Sequence, residues 1–451
     1  MSVPPAKPIP EMVAGHPGAR TEAKAVLINR AILRRAVLSC TVGQVFEFYD
    51  FVIYGFMAAA LARAFFPGGD SLAGLLKTFA TFAVGFLVRP LGAMIAGSYG
   101  DRHGRRQALV LTIVMMAVST GVTGLLPAYS TIGIAAPVLL VLCRMFQGFS
   151  TGGQWGGAAA FLVEYAPPER RGLISSFQQA GIAIGMLLGT LTAALLTYSL
   201  PEHAFFAWGW RIPFLLGFVL GPVGHYLRSR VGETPVFTSS SAARAMARSP
   251  LREMMATQLG PSAAAFGFST VVCVVYWVFL VYVPTFAAQE LRLSASATFF
   301  STTLACMVYL LLTPVVGAWS DRVGRKPMLY AGSGGAILFS YPLFRLLVSH
   351  PTVTGLVVTQ ALAAAVLSLL TGVLCAVLAE SFPTKVRYTA LAISYGFSVA
   401  IFGGLAPLVS AALYRLTGSP EAPSYYVIFA GVLSLIATLF VREGAHRPLP
   451  E

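Results

Sequence analysis

Five charged side chains stand inside long apolar stretches of the chain: Glu47, Asp50, Lys77, Arg89 and Arg144. A charge at the centre of a membrane helix costs at least ~2.5–3.5 kcal/mol, so each needs a partner or a wet cavity. Gly43, Glu47, Asp50 and Tyr54 recur at the spacing of one helical stripe. Two carboxylates on one stripe repel, which favours keeping one of them protonated and suits proton coupling, with Asp50 preferred over Glu47. The alternative is a structural ion pair to Arg144 or Arg89. Arg144 is followed on nearly the same face by Gln147, Thr151 and Gln154, and its planar fork matches a carboxylate. Arg89 precedes Pro90 and either meets substrate or bonds a carbonyl freed by the proline. Lys77 lies near a helix end, where it can snorkel. The second half of the chain offers only neutral groups at such depth, Tyr276 and Tyr395 among them. The embedded charges sum to +1, which favours an anionic solute.

The elements that must position these residues follow from composition. Of 451 residues, 56% are hydrophobic and 11% charged, with a mean hydropathy of +0.74; a soluble domain carries roughly 25% charge. Such a chain cannot cover a water-facing surface, so it is read as an integral membrane protein. Its net charge of +14 then concerns membrane topology, and no nucleic-acid partner is expected. The five cysteines lie in apolar stretches without C-x-x-C spacing, which argues against a disulfide framework or a metal site. No cleavable signal peptide is evident, because residues 1–35 are polar and charged.

Twelve apolar runs are long enough to span a bilayer: 36–62, 72–98, 108–127, 136–164, 173–197, 212–231, 257–286, 297–319, 328–348, 353–379, 388–414 and 425–442. They divide the chain into a tail (1–35), a six-helix bundle (36–231), a linker (232–256), a second bundle (257–442) and a tail (443–451). The tails and the loops on their side hold 23 of the 31 Lys and Arg, and the opposite loops 5. Both termini are therefore expected in the cytoplasm. The fold class is an all-α membrane protein of twelve transmembrane helices in two six-helix halves.

A repeat supports the halves. Gly97, Asp101, Arg102, Gly104, Arg105 and Arg106 recur 220 residues later as Gly317, Asp321, Arg322, Gly324, Arg325 and Lys326, each set following the second span of its half. Glu164 and Arg171 are echoed by Glu380 and Arg387 after the fourth span. These sixteen residues are the candidate cytoplasmic gate: each aspartate can pair with arginines or sit at a neighbouring helix N-terminus, and Glu164 with Arg171, and Glu380 with Arg387, can join a network. Gly148-Phe-Ser150-Thr-Gly152 matches the hydrolase pattern G-x-S-x-G, but it lies inside an apolar helix without a histidine at that depth, so no enzyme is expected.

The G-x-x-x-D-R-x-G-R-[RK] loop of both halves resembles the signature of the major facilitator superfamily. Phe46-Glu47-Phe48-Tyr49-Asp50-Phe51, Gly85-Phe-Leu-Val-Arg89-Pro90, Arg144-Met-Phe-Gln147-Gly148 and Trp208-Gly209-Trp210-Arg211 are similar to its metabolite:proton symporters. Ala400-Ile-Phe-Gly403-Gly404-Leu-Ala-Pro407 looks most like their citrate and tricarballylate carriers. The resemblance implies spans 1, 4, 7 and 10 around a central cavity, with Arg144, Arg89, Tyr54, Gln147, Gln154, Tyr276 and Tyr395 as substrate-binding candidates. It also implies proton-coupled import of an organic anion such as citrate, or else of a betaine, proline or shikimate-type solute, across a bacterial inner membrane. The expected partners are the solute, protons and lipid; the expected state is a monomer, without a cofactor. Where the branch usually carries a glutamate, this chain has Gln154, which disfavours a cationic substrate.

Overall fold

The computed structural model describes residues 30–67, 71–229, 231–234, 236 and 249–450. The expected N-terminal tail up to residue 29 and most of the expected linker lie outside the described residues. Twelve long helical segments follow one another: α1 (Arg30–Phe56), α2 (Ser71–His103), α3 (Arg105–Leu125), α4 (Ala135–Tyr165), α5 (Arg171–Ser199), α6 (Arg211–Leu215 continued by Gly217–Ser229), α7 (Leu259–Gln289), α8 (Ala295–Val323), α9 (Arg325–Ser349), α10 (Val353–Glu380), α11 (Arg387–Thr417) and α12 (Pro423–Phe440). Eleven of these regions are apolar and long enough to cross a membrane. The exception is α4, which carries Arg144, Gln147, Gln154 and Glu164, and whose residues from Ser150 to Tyr165 are all buried. The second half of α4 is thus sheltered by its neighbours, while the first half keeps an apolar exterior in Val138, Leu139, Leu142, Met145 and Phe146.

The helices overrun the expected spans. By Arg30 the chain is already helical, so the tail boundary expected at residue 35 falls inside α1. Gly97 to Asp101 belong to α2, which leaves Gly104 alone between α2 and α3. Gly104 and its repeat partner Gly324 have φ of 111° and 100°, a region costly for any residue with a Cβ. The signature loop is therefore a one-residue reversal, and its glycine is required by the backbone.

Close backbone approach fixes where the charged residues stand. A methyl group on Gly148 would overlap the Gly85 carbonyl, and one on Gly152 the Arg89 carbonyl. Small residues of this kind let membrane helices pack through their backbones, so α2 and α4 are locked in register with Arg89 and Arg144 on them. Opposite them, α7 and α11 each contain a π-helical turn, Val278–Tyr282 and Val399–Gly403. Pro284 and Pro407 follow, and each proline removes the donor to the residue four back and crowds its carbonyl; those residues, Leu280 and Gly403, sit in the widened turns.

Two latches join the halves at the signature-loop end. Asp101 accepts from the Tyr388 and Thr389 N–H groups at 3.2 and 2.8 Å and from the Thr389 hydroxyl at 2.7 Å, so it caps α11. Asp321 accepts from the Gly172 and Leu173 N–H groups at 2.8 and 2.9 Å and caps α5. Each half thus holds the N-terminus of a helix in the other. Gly97 lies against the Thr389 backbone and Gly317 against Gly172 and Ser176. The glutamate pairings differ from expectation: Glu164 binds Arg105 (3.0 Å) and Arg387 (2.8 Å) rather than Arg171, and Glu380 binds Arg325 (3.1 Å) rather than Arg387. The pseudo-symmetric docking brings Arg387 across to the other half. Arg102 and Arg322 are exposed and stand outside this network, while Arg106 donates to the Ser229 carbonyl at 2.7 Å and Lys326 to the Leu439 carbonyl at 3.5 Å, tying each loop to the last span of its half.

Two further glutamates complete this end. Glu233 accepts from the Arg106 N–H at 3.1 Å and Glu443 from those of Arg325 and Lys326 at about 2.9 Å, so each caps the helix after a signature loop. Burial pushes the Glu233 carboxyl up; at Glu443 burial acts the same way but is outweighed by backbone N–H bonds from Arg325, Lys326 and Ala445, which hold it below its ordinary value. That depressed value makes the Glu443 cap stabilising above the ordinary carboxylate range and lost as pH falls through its own lower range. The C-terminal segment then runs under the latches, the Arg447 carbonyl accepting from Arg171 at 2.7 Å and the Pro450 carbonyl from Arg387 at 2.8 Å.

A carboxylate at a helix N-terminus in a partly buried setting contributes up to ~2 kcal/mol, enough to shift an equilibrium more than about tenfold. Asp321→Asn should therefore raise the alkylation rate of a cysteine placed at Ser176, which is buried against Gly317, by about tenfold. An unchanged rate would show that the latch does not hold this end shut.

Candidate substrate and proton site

The charged residues inside the N-terminal half form two pairs. Asp50 is fully buried and accepts three kinds of donor: the Arg144 Nη1 at 2.9 Å on Oδ2, and the Thr120 hydroxyl at 2.8 Å and the Gln147 Nε2 at 3.0 Å on Oδ1. Gln147 Nε2 also donates to Thr120 Oγ1 at 2.8 Å. The guanidinium of Arg144 lies 3.7 Å over the Tyr54 ring, a cation–π contact, and its Nε and Nη2 have no hydrogen-bond partner among the described residues. The second pair, Glu47 with Arg89, is looser at 3.7 Å. Arg89 sits between the Phe51 and Phe86 rings, 4.6 and 4.5 Å from their centroids.

Sequence spacing anticipates this arrangement only in part. Glu47 and Asp50 share a helix face, as expected, yet each meets its own arginine, so the ion-pair alternative is realised for both. Lys77 is exposed and takes no part, and the four remaining charges cancel, correcting the +1 expected for the site. Gln154 donates to the Gly43 carbonyl at 2.7 Å and Tyr54 to that of Thr78 at 3.1 Å, so both serve local structure. Tyr276 donates to the Met186 sulfur at 2.7 Å, and Tyr395 stacks on Trp155 at 3.5 Å; these two bring the C-terminal half up to the pairs. Ser150 donates to the Thr112 carbonyl within its helix pair, a packing role. Thr120 was not singled out by sequence, since a threonine in an apolar run gives no signal until α3 is docked on α1.

A cavity of ≈ 440 Å³ opens between the halves, walled by α1, α2, α5, α7 and α8. Its lining is aromatic: Phe48, Phe51, Phe56, Phe79, Phe82, Tyr276, Trp277 and Phe299 contribute, with Met186 and Cys306. Arg144 was expected to face such a cavity. It does not line it; Tyr54 and Phe82, stacked at 5.4 Å, lie over its guanidinium, and Phe51 lies against that of Arg89. The charged pairs stand behind an aromatic wall because an arginine paired to a carboxylate loses least when its remaining face meets rings rather than bare hydrocarbon.

Comparison with known proteins accords with this architecture. Residues 36–265 match the family described as sugar (and other) transporter, and residues 265–451 match the Major Facilitator Superfamily. The glycine betaine/proline/ectoine/pipecolic acid transporter OusA of Dickeya dadantii is 37% identical over 433 residues, covering 94% of this chain and 86% of that protein. The citrate-proton symporter of Klebsiella pneumoniae is 34% identical over 409 residues, covering 90% and 91%. The structure of the proton:xylose symporter XylE bound to 6-bromo-6-deoxy-D-glucose shares the fold with a TM-score of 0.79 at 18% identity, covering 93% of this chain and 98% of that one. With both halves matched, full-length relatives above 30% identity and the duplicated latch in place, the chain belongs to the major facilitator superfamily.

Proposed function

We propose that the protein is a proton-coupled symporter that imports a small carboxylate-bearing zwitterion of the betaine or proline type across the bacterial inner membrane by alternating access, with both termini cytoplasmic. The observation that carries the reading is the buried Asp50–Arg144 pair, in which the guanidinium keeps two donor nitrogens without partners among the described residues. A proton on Asp50 cancels its claim on Arg144. The freed fork then takes the carboxylate of the solute bidentately, once Tyr54 and Phe82, the rings over it, move aside. Solute and proton thus bind together, which is symport. Glu47 and Arg89 form a second, weaker pair available for the same exchange.

The zwitterion is supported by the balanced charge of the site and by the aromatic cavity beside it. An alkylated ammonium placed against such rings gains ~0.5–2 kcal/mol from cation–π attraction, and Phe82, which lines the cavity, is one of the rings over Arg144. The betaine and proline transporters among the relatives agree with this choice. A second reading, a di- or tricarboxylate such as citrate, is favoured by the presence of two arginines with unpartnered nitrogens, Arg144 and Arg89, and by the citrate-proton symporter relative.

In proteoliposomes an inward proton gradient should drive accumulation of labelled betaine or proline above citrate, and a protonophore should abolish it. Accumulation driven by a sodium gradient alone would overturn proton coupling, and selective citrate uptake would establish the second reading. Asp50→Asn should retain solute counterflow while losing gradient-driven accumulation; Glu47→Gln should keep both in reduced measure. If Asp50→Asn accumulates solute with the wild-type pH dependence, Asp50 is not the proton carrier. Arg144→Lys should fail to restore affinity, since a point charge does not reproduce the fork; near-normal affinity in Arg144→Ala would remove Arg144 from the binding site.

A further inference from the structure

We propose that Thr120 is a positioning residue for the coupling proton: its hydroxyl turns from donor to acceptor when Asp50 becomes a carboxylic acid. The proposal rests on the reading of Asp50 as the proton carrier. A buried carboxylate and a buried carboxylic acid need different neighbours, because the acid must donate its new hydrogen or bury it unpaired. Every group now bonded to Asp50 is a donor. The arginine has no acceptor to offer, and the amide nitrogen of Gln147 has none either.

Two oxygens nearby could accept. Gln147 Oε1 is buried and has no partner among the described residues, but presenting it to Asp50 means turning the amide over and giving up both Nε2 bonds. Thr120 Oγ1 is already 2.8 Å from Asp50 Oδ1 and uses one lone pair for Gln147, leaving the second. It becomes the acceptor by rotation of one O–H, with no heavy atom moved. Neighbours on α3 show where that hydrogen can go: Ser119 donates to the Met115 carbonyl at 2.7 Å and Thr123 to that of Ser119 at 2.8 Å, the back-bonding open to hydroxyls within a helix.

The other groups facing Asp50 do not duplicate this role. From α1 they are Tyr49 and Tyr54, and from α4 Cys143 and Arg144. The tyrosine hydroxyls are directed to the Pro213 and Thr78 carbonyls and neither is hydrogen-bonded to Asp50, and Arg89 of α2 stands against Glu47. Thr120 is thus the hydroxyl bonded directly to the carboxylate, clamped there by Gln147. Both protonation states of Asp50 can be satisfied in one packed site.

Infrared difference spectra between low and high pH, taken on the purified protein in lipid, read this directly. The Asp50 acid carbonyl band is identified by its loss in Asp50→Asn. In Thr120→Val it should move to higher frequency, as the acid loses a hydrogen-bond partner, and in Thr120→Ser it should return to the wild-type position. Thr120→Cys, with a weaker acceptor, should fall between them and supplies the same test should the valine variant not fold. An Asp50 band at the wild-type position in the valine or cysteine variant overturns the role of Thr120 and leaves Asp50 as the carrier. Absence of any Asp50 acid band in the wild type overturns both.

Discussion

A charge removed from water must be met by its opposite at close range, and the placement of five of the six buried arginines among the described residues follows from that requirement; the sixth, Arg171, meets the Arg447 carbonyl. Arg144 meets Asp50, Arg89 meets Glu47, Arg105 and Arg387 meet Glu164, and Arg325 meets Asp321 and Glu380. Removing one partner of such a pair costs about 3–5 kcal/mol, a large part of a typical stability of ~5–15 kcal/mol. The helices must therefore hold these partners in register. The glycine contacts between α2 and α4 set Arg89 and Arg144 relative to each other, those of Gly181 and Gly185 of α5 against the Thr41 and Val45 carbonyls hold α1 with its carboxylates, and the one-residue reversals at Gly104 and Gly324 position the latches.

The same requirement links binding to opening. A pair that is strong only at good geometry is either made or broken, so a latch composed of such pairs has two states rather than a continuum. Asp101 and Asp321 reach across to helix N-termini of the opposite half, so rotation of one half against the other breaks both at once. On the proposed function, the deep pair works likewise: Asp50 holds Arg144 until a proton neutralises it. The aromatic wall over the guanidinium keeps the exchange dry, where electrostatic differences between the two states count most. The widened turns of α7 and α11 lie on the opposite side of this region, where the helix ladder is already interrupted by proline.

Much of this was legible in the sequence. Apolar runs, basic loops and the 220-residue repeat define twelve helices in two halves, because each is a local pattern. The polar residues of span 1 and span 4 announce themselves by their rarity in a membrane. What could not be read was pairing across distance. Glu164 looks adjacent to Arg171 along the chain, yet its partner Arg387 comes from the other half; Thr120 becomes significant only when α3 meets α1; and the Arg447 and Pro450 carbonyls acquire their guanidinium partners only when the C-terminal segment folds under the latches. The charge sum misled for the same reason, since Lys77 is counted by sequence and excluded by its exposed position.

Proton release or uptake on solute binding, measured by titration calorimetry in buffers of differing ionisation enthalpy, tests the competition between Asp50 and the solute for Arg144 without any need for transport. At a pH where Asp50 is ionised, binding of betaine or proline should draw in about one proton per solute, and Asp50→Asn should bind with no buffer dependence. Binding by the wild-type protein that is independent of the buffer, or the same proton uptake in Asp50→Asn, would contradict a pair opened by protonation.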